Sequence, residues 1–163
     1  MSVKLTLGVS LKMYFGFQQT LDWSRQVADI VRHHPLLRQH PDTTLFTFPS
    51  APAIDATLRA FDGTAMQVGA QNIAPAGPGA WTGETSAAMI AEMGGKFVEI
   101  GHAERRRHFH EDDAVICRKV QLALEEGLTP VICIGEPEQM TIQSATAFAI
   151  READNIVNFL HQH

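Results

Sequence analysis

The stretch Gly94–Phe109, GGKFVEIGHAERRRHF, gathers ionisable groups at one point of the chain. An apolar run, Phe97–Ile100, meets Gly101, and His102, Glu104, Arg105 and Arg106 follow at once. Proton transfer is open to an imidazole near neutral pH, and ion pairing to a carboxylate and two guanidiniums. Gly101 lets the backbone turn where a side chain would crowd it. The bland alternative is a solvated loop, since charge runs usually face water. A second candidate is Lys12, set between Leu11 and Met13, which also reads as an ordinary surface lysine. His108 and His110 are close enough to grip a metal from one loop. No cysteine or carboxylate frame with zinc spacing accompanies them, so neither metal nor cofactor is expected.

These residues need a scaffold, and the hydrophobic pattern supplies one. Strands are predicted over Lys4–Val9, Thr44–Phe48, Met66–Gly69, Phe97–Ile100 and Pro130–Gly135. Helical patterns separate them: Thr20 as N-cap of a helix to about Arg32, Ala53–Phe61, Ser86 as cap of a helix through Met93, and Glu111–Glu126. A last helix is predicted over Thr141–Leu160, with a stripe of Ile142, Ala145, Ala149, Ala153, Ile156 and Leu160. Five strand–helix units in regular alternation imply parallel strands with helical crossovers. The long connection after the third strand exceeds usual loop lengths, which hints at a role.

Composition narrows the classes. The chain has 163 residues, 45% hydrophobic and 19% charged, as one globular domain requires. A formal net charge of -5, with no basic block beyond Arg105–Arg107, argues against nucleic acid. No apolar run is long enough to span a bilayer, and MSVKLTLG lacks a signal-peptide pattern. The two cysteines, Cys117 and Cys133, fall in apolar or helical stretches. They read as reduced and buried, in a cytoplasmic protein.

In parallel α/β folds ligands gather at the C-terminal ends of the strands. Ser10 and Lys12 stand there after the first strand, Ser50 after the second, and Gln71 and Asn72 after the third. His102, Glu104 and Arg105 follow the fourth, and Glu136 the fifth. Each has a plain reading too. His102 would bond a nearby carbonyl, Glu84 and Arg105 would form a structural pair, and Glu136 would be a solvated acid.

Five segments in order, LGVSLKMYFG, GAQN, GAWTGETSAAM, FVEIGHAERRRHF and GLTPVICIGE, span Leu7–Glu136. On these the chain resembles the triosephosphate isomerase family, or its relatives acting on other small ketose phosphates. The resemblance implies an α/β fold of the TIM (β/α)8-type barrel. It implies that Lys12 attracts the substrate phosphate and enediolate, and that His102 is a neutral imidazole polarising the carbonyl. That neutral-histidine logic is a known case for this family. Glu104 would anchor the lysine, Glu84 and Arg105 would be a structural pair, and Cys133 would lie behind the site. Gln71–Glu84 would be the dimerising loop.

The departures are as informative. Ser10 stands where the family has an asparagine, Leu11 replaces its tryptophan, and Ala103 replaces the serine after the histidine. The interface-loop threonine falls on Gly77. A divergent branch with a substrate other than triose phosphate is implied, with Ser10 and Lys12 as substrate-binding residues. The family's glutamate–proline–valine–tryptophan motif, which carries the general base, is absent from the 163 residues. A complete barrel needs at least about 200 residues. The expectation is a single partial barrel over residues 1–163 of about five βα units, lacking three. Such a chain would be inactive alone and joined to copies of itself through open sheet edges and the Gln71–Glu84 loop, with a small phosphate as possible ligand. Two other readings stay open: an isomerase completed by another subunit or chain, and a non-catalytic binding or scaffold protein.

Overall fold

The alternating pattern folds as five parallel strands whose order in the sheet is their order in the chain. The computed structural model describes residues 5–162. The strands are β1 (Thr6–Ser10), β2 (Thr44–Phe48), β3 (Met66–Ala70), β4 (Phe97–Ile100) and β5 (Thr129–Ile132). The helices are α1 (Phe17–His33), α2 (Pro35–Gln39), α3 (Ile54–Ala60), α4 (Ala87–Glu92), α5 (Ala103–Phe109), α6 (Asp113–Glu125) and α7 (Ile142–Gln162). Lys4, the expected first residue of β1, lies outside the described residues. β5 ends at Ile132 rather than Gly135, although Cys133 N–H still donates to Ile100 O at 2.9 Å.

One contact shows that the sheet is curled. Ser10 on β1 reaches Glu99 on β4 at 2.8 Å, with β2 and β3 between them in the order of strands. In a flat sheet those strands would stand about 14 Å apart, three times the usual spacing. The register places Gly8 beside Phe46 and Gly69 beside Phe97 on this concave face. Phe46 stacks on Phe97 with centroids 4.9 Å apart. A Cβ on Gly8 would sit 2.0 Å from the Phe46 ring, so only glycine leaves the ring its place.

The convex face carries the core. Val98 and Ile100 of β4 pack with Ile54, Ile90, Ile116 and Val120 from α3, α4 and α6. A smaller cluster of Ala28, Phe61 and Val68 joins α1 to the sheet. The fold is thus an incomplete TIM-type barrel of five strands with helices outside. Among the described residues β1 pairs only with β2, and β5 only with β4. On β1, Leu7 is 58% and Val9 41% exposed, while Ile134 beyond β5 is 47% exposed.

One expected cap is corrected. Thr20 is not the N-cap of α1. Gly16 takes that position, and Thr20 sits one turn inside with its hydroxyl donating back to Gly16 O at 2.9 Å. The charge run after Gly101 is helical, not a solvated loop: it forms α5, capped by His102 and closed by His110 in the left-handed conformation at φ 55°. α7 packs beside α6 on the outside and does not cross the open concave face. Asn155 Nδ2 donates to Asp113 at 3.3 Å, and Glu152 meets Arg106 at 3.0 Å. The expected α7 stripe is only partly used, since Ile156 is buried and Ile142 exposed.

Candidate active site

β1 delivers Lys12, but the turn after it sets the direction of the side chain. Lys12 has φ 50°, a left-handed conformation that costs a residue with a Cβ roughly 1–2 kcal/mol. Its carbonyl is held by two donors, Ser50 Oγ at 3.0 Å and Gln71 Nε2 at 2.9 Å. Gln71 also donates to Phe48 O at 2.9 Å, tying the ends of β1, β2 and β3 together. Strain of this kind persists where surroundings over-determine it, commonly at functional sites. Lys12 Nζ then lies 2.9 Å from Glu104 Oε1. That hydrogen bond holds the ammonium above the usual lysine range and the Glu104 carboxylate below its own.

His102 enters from the end of β4. Gly101, at φ 76°, makes the turn, and a side chain there would press on Cys133 O at 3.3 Å. His102 Nδ1 accepts the Glu104 backbone N–H at 3.1 Å. Nδ1 can accept that N–H only when it carries no proton, and in the neutral ring this acceptance puts the proton on Nε2. The first turn of α5 therefore leaves Nε2–H as a donor. A neutral donor of this kind suits a carbonyl oxygen that gains charge during reaction.

Lys12, His102 and Glu104 line one open cavity of about 890 Å³, together with Ser10, Glu84 and Glu99. Glu136, expected on the same rim, is exposed and does not line it. Cys133 is half-buried behind the floor, with Sγ 3.9 Å from Glu99 Oε1. Burial, then the charge of Glu99, pushes its thiol up to about 11. The thiolate is the reactive form. At pH 8, Cys133 should alkylate roughly a hundredfold more slowly than a thiol at its ordinary value, with the rate still climbing above pH 9. Peptide mapping after timed iodoacetamide treatment, native and in urea, measures this; equal rates in both states would contradict it.

The expected Glu84–Arg105 pair is not formed. Arg105 Nε donates to Glu111 Oε1 at 2.6 Å, and its guanidinium lies 4.4 Å over the Phe109 ring. Glu111 is the nearer acid because Asp112 caps α6 and brings the residue before it back against α5. Lys119 donates to the same Glu111 oxygen at 2.6 Å and to Asn72 Oδ1 at 2.7 Å. Burial lowers the Lys119 ammonium from its usual range, and Glu111 opposes that shift. Arg106 donates to Gly101 O at 2.9 Å and to Asp113 at 3.0 Å, so it braces the turn before His102.

Sequence reasoning passed over Glu99, Glu111 and Lys119. Two of them carried a signal. Glu99 is a carboxylate inside an otherwise apolar strand, and such a group must find partners. Lys119 stands three residues after Ile116 and four before Ala123, on the stripe that α6 buries.

The family profile described as Triosephosphate isomerase matches residues 5–163. An L-erythrulose-1-phosphate isomerase of Pectobacterium atrosepticum is 48% identical over 144 residues, 88% of this chain and 55% of the relative. A probable triosephosphate isomerase 2 of Listeria monocytogenes is 39% identical over 134 residues, 82% of this chain and 50% of the relative. A triosephosphate isomerase of Clostridium novyi is 49% identical over 88 residues, 54% of this chain and 35% of the relative. The chain spans about half the length of the first two relatives.

Proposed function

The chain belongs to the triosephosphate isomerase family, and on that premise we propose that it carries the electrophilic half of an aldose–ketose isomerase site for a small sugar phosphate. The carrying observation is the convergence of Lys12 and His102 on one cavity, with His102 Nδ1 blocked by a backbone N–H. Lys12 supplies a fixed positive charge for a phosphate or an enediolate. His102 supplies a neutral N–H for the carbonyl oxygen. Ser10 and Lys12 are the substrate-binding residues, and Glu104 keeps the lysine aimed. The test is a titration with dihydroxyacetone phosphate followed by amide chemical shifts at residues 12, 71 and 102. Lys12→Ala should weaken binding at least about tenfold, the scale of one charge-assisted hydrogen bond. Unchanged binding would remove the lysine from the site.

By itself the 163-residue chain is inactive as an isomerase and joins copies of itself. The exposed Leu7 and Val9 on a strand that, among the described residues, is paired along one edge only support the second statement. Open edges with apolar side chains are templates for pairing. A closed symmetric assembly is expected, because an open one would polymerise. Its interface should include β1, β5 or α7 residues as well as the 71–84 loop. Light scattering should give a small integer multiple of 17.9 kDa; a stable monomer at micromolar concentration would overturn this. A second reading is favoured by the relatives' greater length. A further polypeptide carrying the other βα units would cover the same edges and supply the proton acceptor, and the pair would then be an active isomerase of triose or tetrulose phosphate.

A further inference from the structure

The concave face of the barrel contains a carboxylate that neither the phosphate nor the carbonyl chemistry uses. Glu99 is 9% exposed and points from the middle of β4 into the cavity that Lys12 and His102 line. Its Oε2 accepts the Ser10 hydroxyl at 2.8 Å. Among the described residues its Oε1 has only the Cys133 thiol at 3.9 Å, a long contact with a weak donor. An ionised carboxylate accepts up to about four hydrogen bonds, so acceptor capacity remains on the cavity side. Glu104, the other carboxylate near the lysine, is held by Lys12 at 2.9 Å.

We propose that Glu99, oriented by Ser10, is a hydroxyl-binding subsite on the cavity floor that selects ketose phosphates longer than three carbons. This rests on the isomerase-type reading of Lys12 and His102. A three-carbon ketose phosphate offers a phosphate, a carbonyl and one hydroxyl on the reacting carbon. Lys12 and His102 at the rim engage the phosphate and the carbonyl. A four-carbon ketose phosphate carries one more carbinol. Its O–H is a neutral donor that matches the acceptor oxygen of Glu99 below the rim. A second phosphate would be repelled there, and an apolar chain end would leave the carboxylate desolvated without a partner. A site built to hydrogen-bond a hydroxyl discriminates strongly against the analogue that lacks it.

The experiment titrates the 163-residue chain with inorganic phosphate, dihydroxyacetone phosphate, a tetrulose 1-phosphate and the unphosphorylated tetrulose, following amide shifts. The tetrulose phosphate should bind about tenfold more tightly than the triose phosphate, the scale of one hydrogen bond to a charged group. Both tetruloses should shift the amides of residues 10, 99 and 100. Glu99→Met removes both acceptors at similar volume and should erase the preference. Glu99→Gln keeps the shape and should retain only part of it, which preserves the test if the methionine variant misfolds. Equal affinities in the unaltered chain, the same preference in Glu99→Gln, or no shift at residues 10 and 99 with either tetrulose would overturn the subsite. Lys12→Ala separates the two claims. It should weaken all three phosphates alike and leave the tetrulose preference intact. If it changes none of them, the isomerase-type reading fails while the shifts with unphosphorylated tetrulose still judge Glu99.

Discussion

Glu111→Ala should lower the unfolding free energy by about 3–5 kcal/mol, the usual effect of removing one partner from a buried charge cluster. Glu111 is 8% exposed and Lys119 2% exposed. One oxygen of Glu111 takes both the Arg105 guanidinium and the Lys119 ammonium at 2.6 Å. Without it, Lys119 keeps only Asn72 as a partner among the described residues, in a place that water barely reaches. A lone buried ammonium either deprotonates or pulls the helix open, and both weaken the fold. Replacing both members, Glu111→Leu with Lys119→Met, should recover more than half of the loss, because apolar groups of similar volume need no partner. Urea unfolding followed by circular dichroism measures both variants. A loss below about 1 kcal/mol for Glu111→Ala would mean that water reaches the cluster. The effect should extend to the 71–84 loop, since Asn72 is the link between α6 and that loop. Faster amide exchange at residues 72–75 in Glu111→Ala is the accompanying sign.

The 163-residue chain should interconvert triose phosphates no faster than buffer in a coupled assay. Isomerisation needs a carboxylate free to take a proton from carbon, within hydrogen-bond reach of it. The cavity offers Glu84, Glu99 and Glu104. Glu104 is bound to Lys12 at 2.9 Å, and Glu99, with one oxygen on the Ser10 hydroxyl at 2.8 Å, lies on the cavity floor below the rim where Lys12 and His102 would hold the reacting end. Glu84 lies on the loop side, close enough to Lys119 to favour its charged form. General base catalysis alone contributes typically about 10²–10⁴-fold, and the remaining electrophiles act on a proton that nothing removes. Turnover that vanishes in both Lys12→Ala and His102→Ala would refute this and assign proton abstraction to one of the three carboxylates. Adding a polypeptide that carries the other βα units should restore turnover under the second reading, and this addition distinguishes it from the first.

Much of the fold was legible because its causes are local. β2 and β4 keep the boundaries read from TLFTF and FVEI, since a short apolar run between turn residues has few other conformations. Ser86 accepts the Met89 N–H at 3.1 Å as a capping serine does, and Gly94 takes φ 95° at the end of α4. Asp112 caps α6 in the same way. The rim positions of Lys12 and His102 followed from the strand–helix alternation, which forces strands to run parallel and their C-terminal ends to share one side.

Other features depend on residues far apart in the chain, and only the tertiary structure decided them. Whether His102–Phe109 is loop or helix turned on partners: Glu111 for Arg105, and Gly101 O with Asp113 for Arg106. The choice of Glu111 over Glu84 was a matter of which acid α6 carried into reach, and charge patterns do not encode that distance. The left-handed turn at Lys12 needed Ser50 and Gln71 from the loops after two other strands. Curvature had the largest consequence. Residue types alone give Ser10 and Glu99 no relation, as they lie 89 positions apart. The accumulated twist of parallel strands bends the sheet until β1 faces β4, and that bend places a carboxylate on the floor of the cavity.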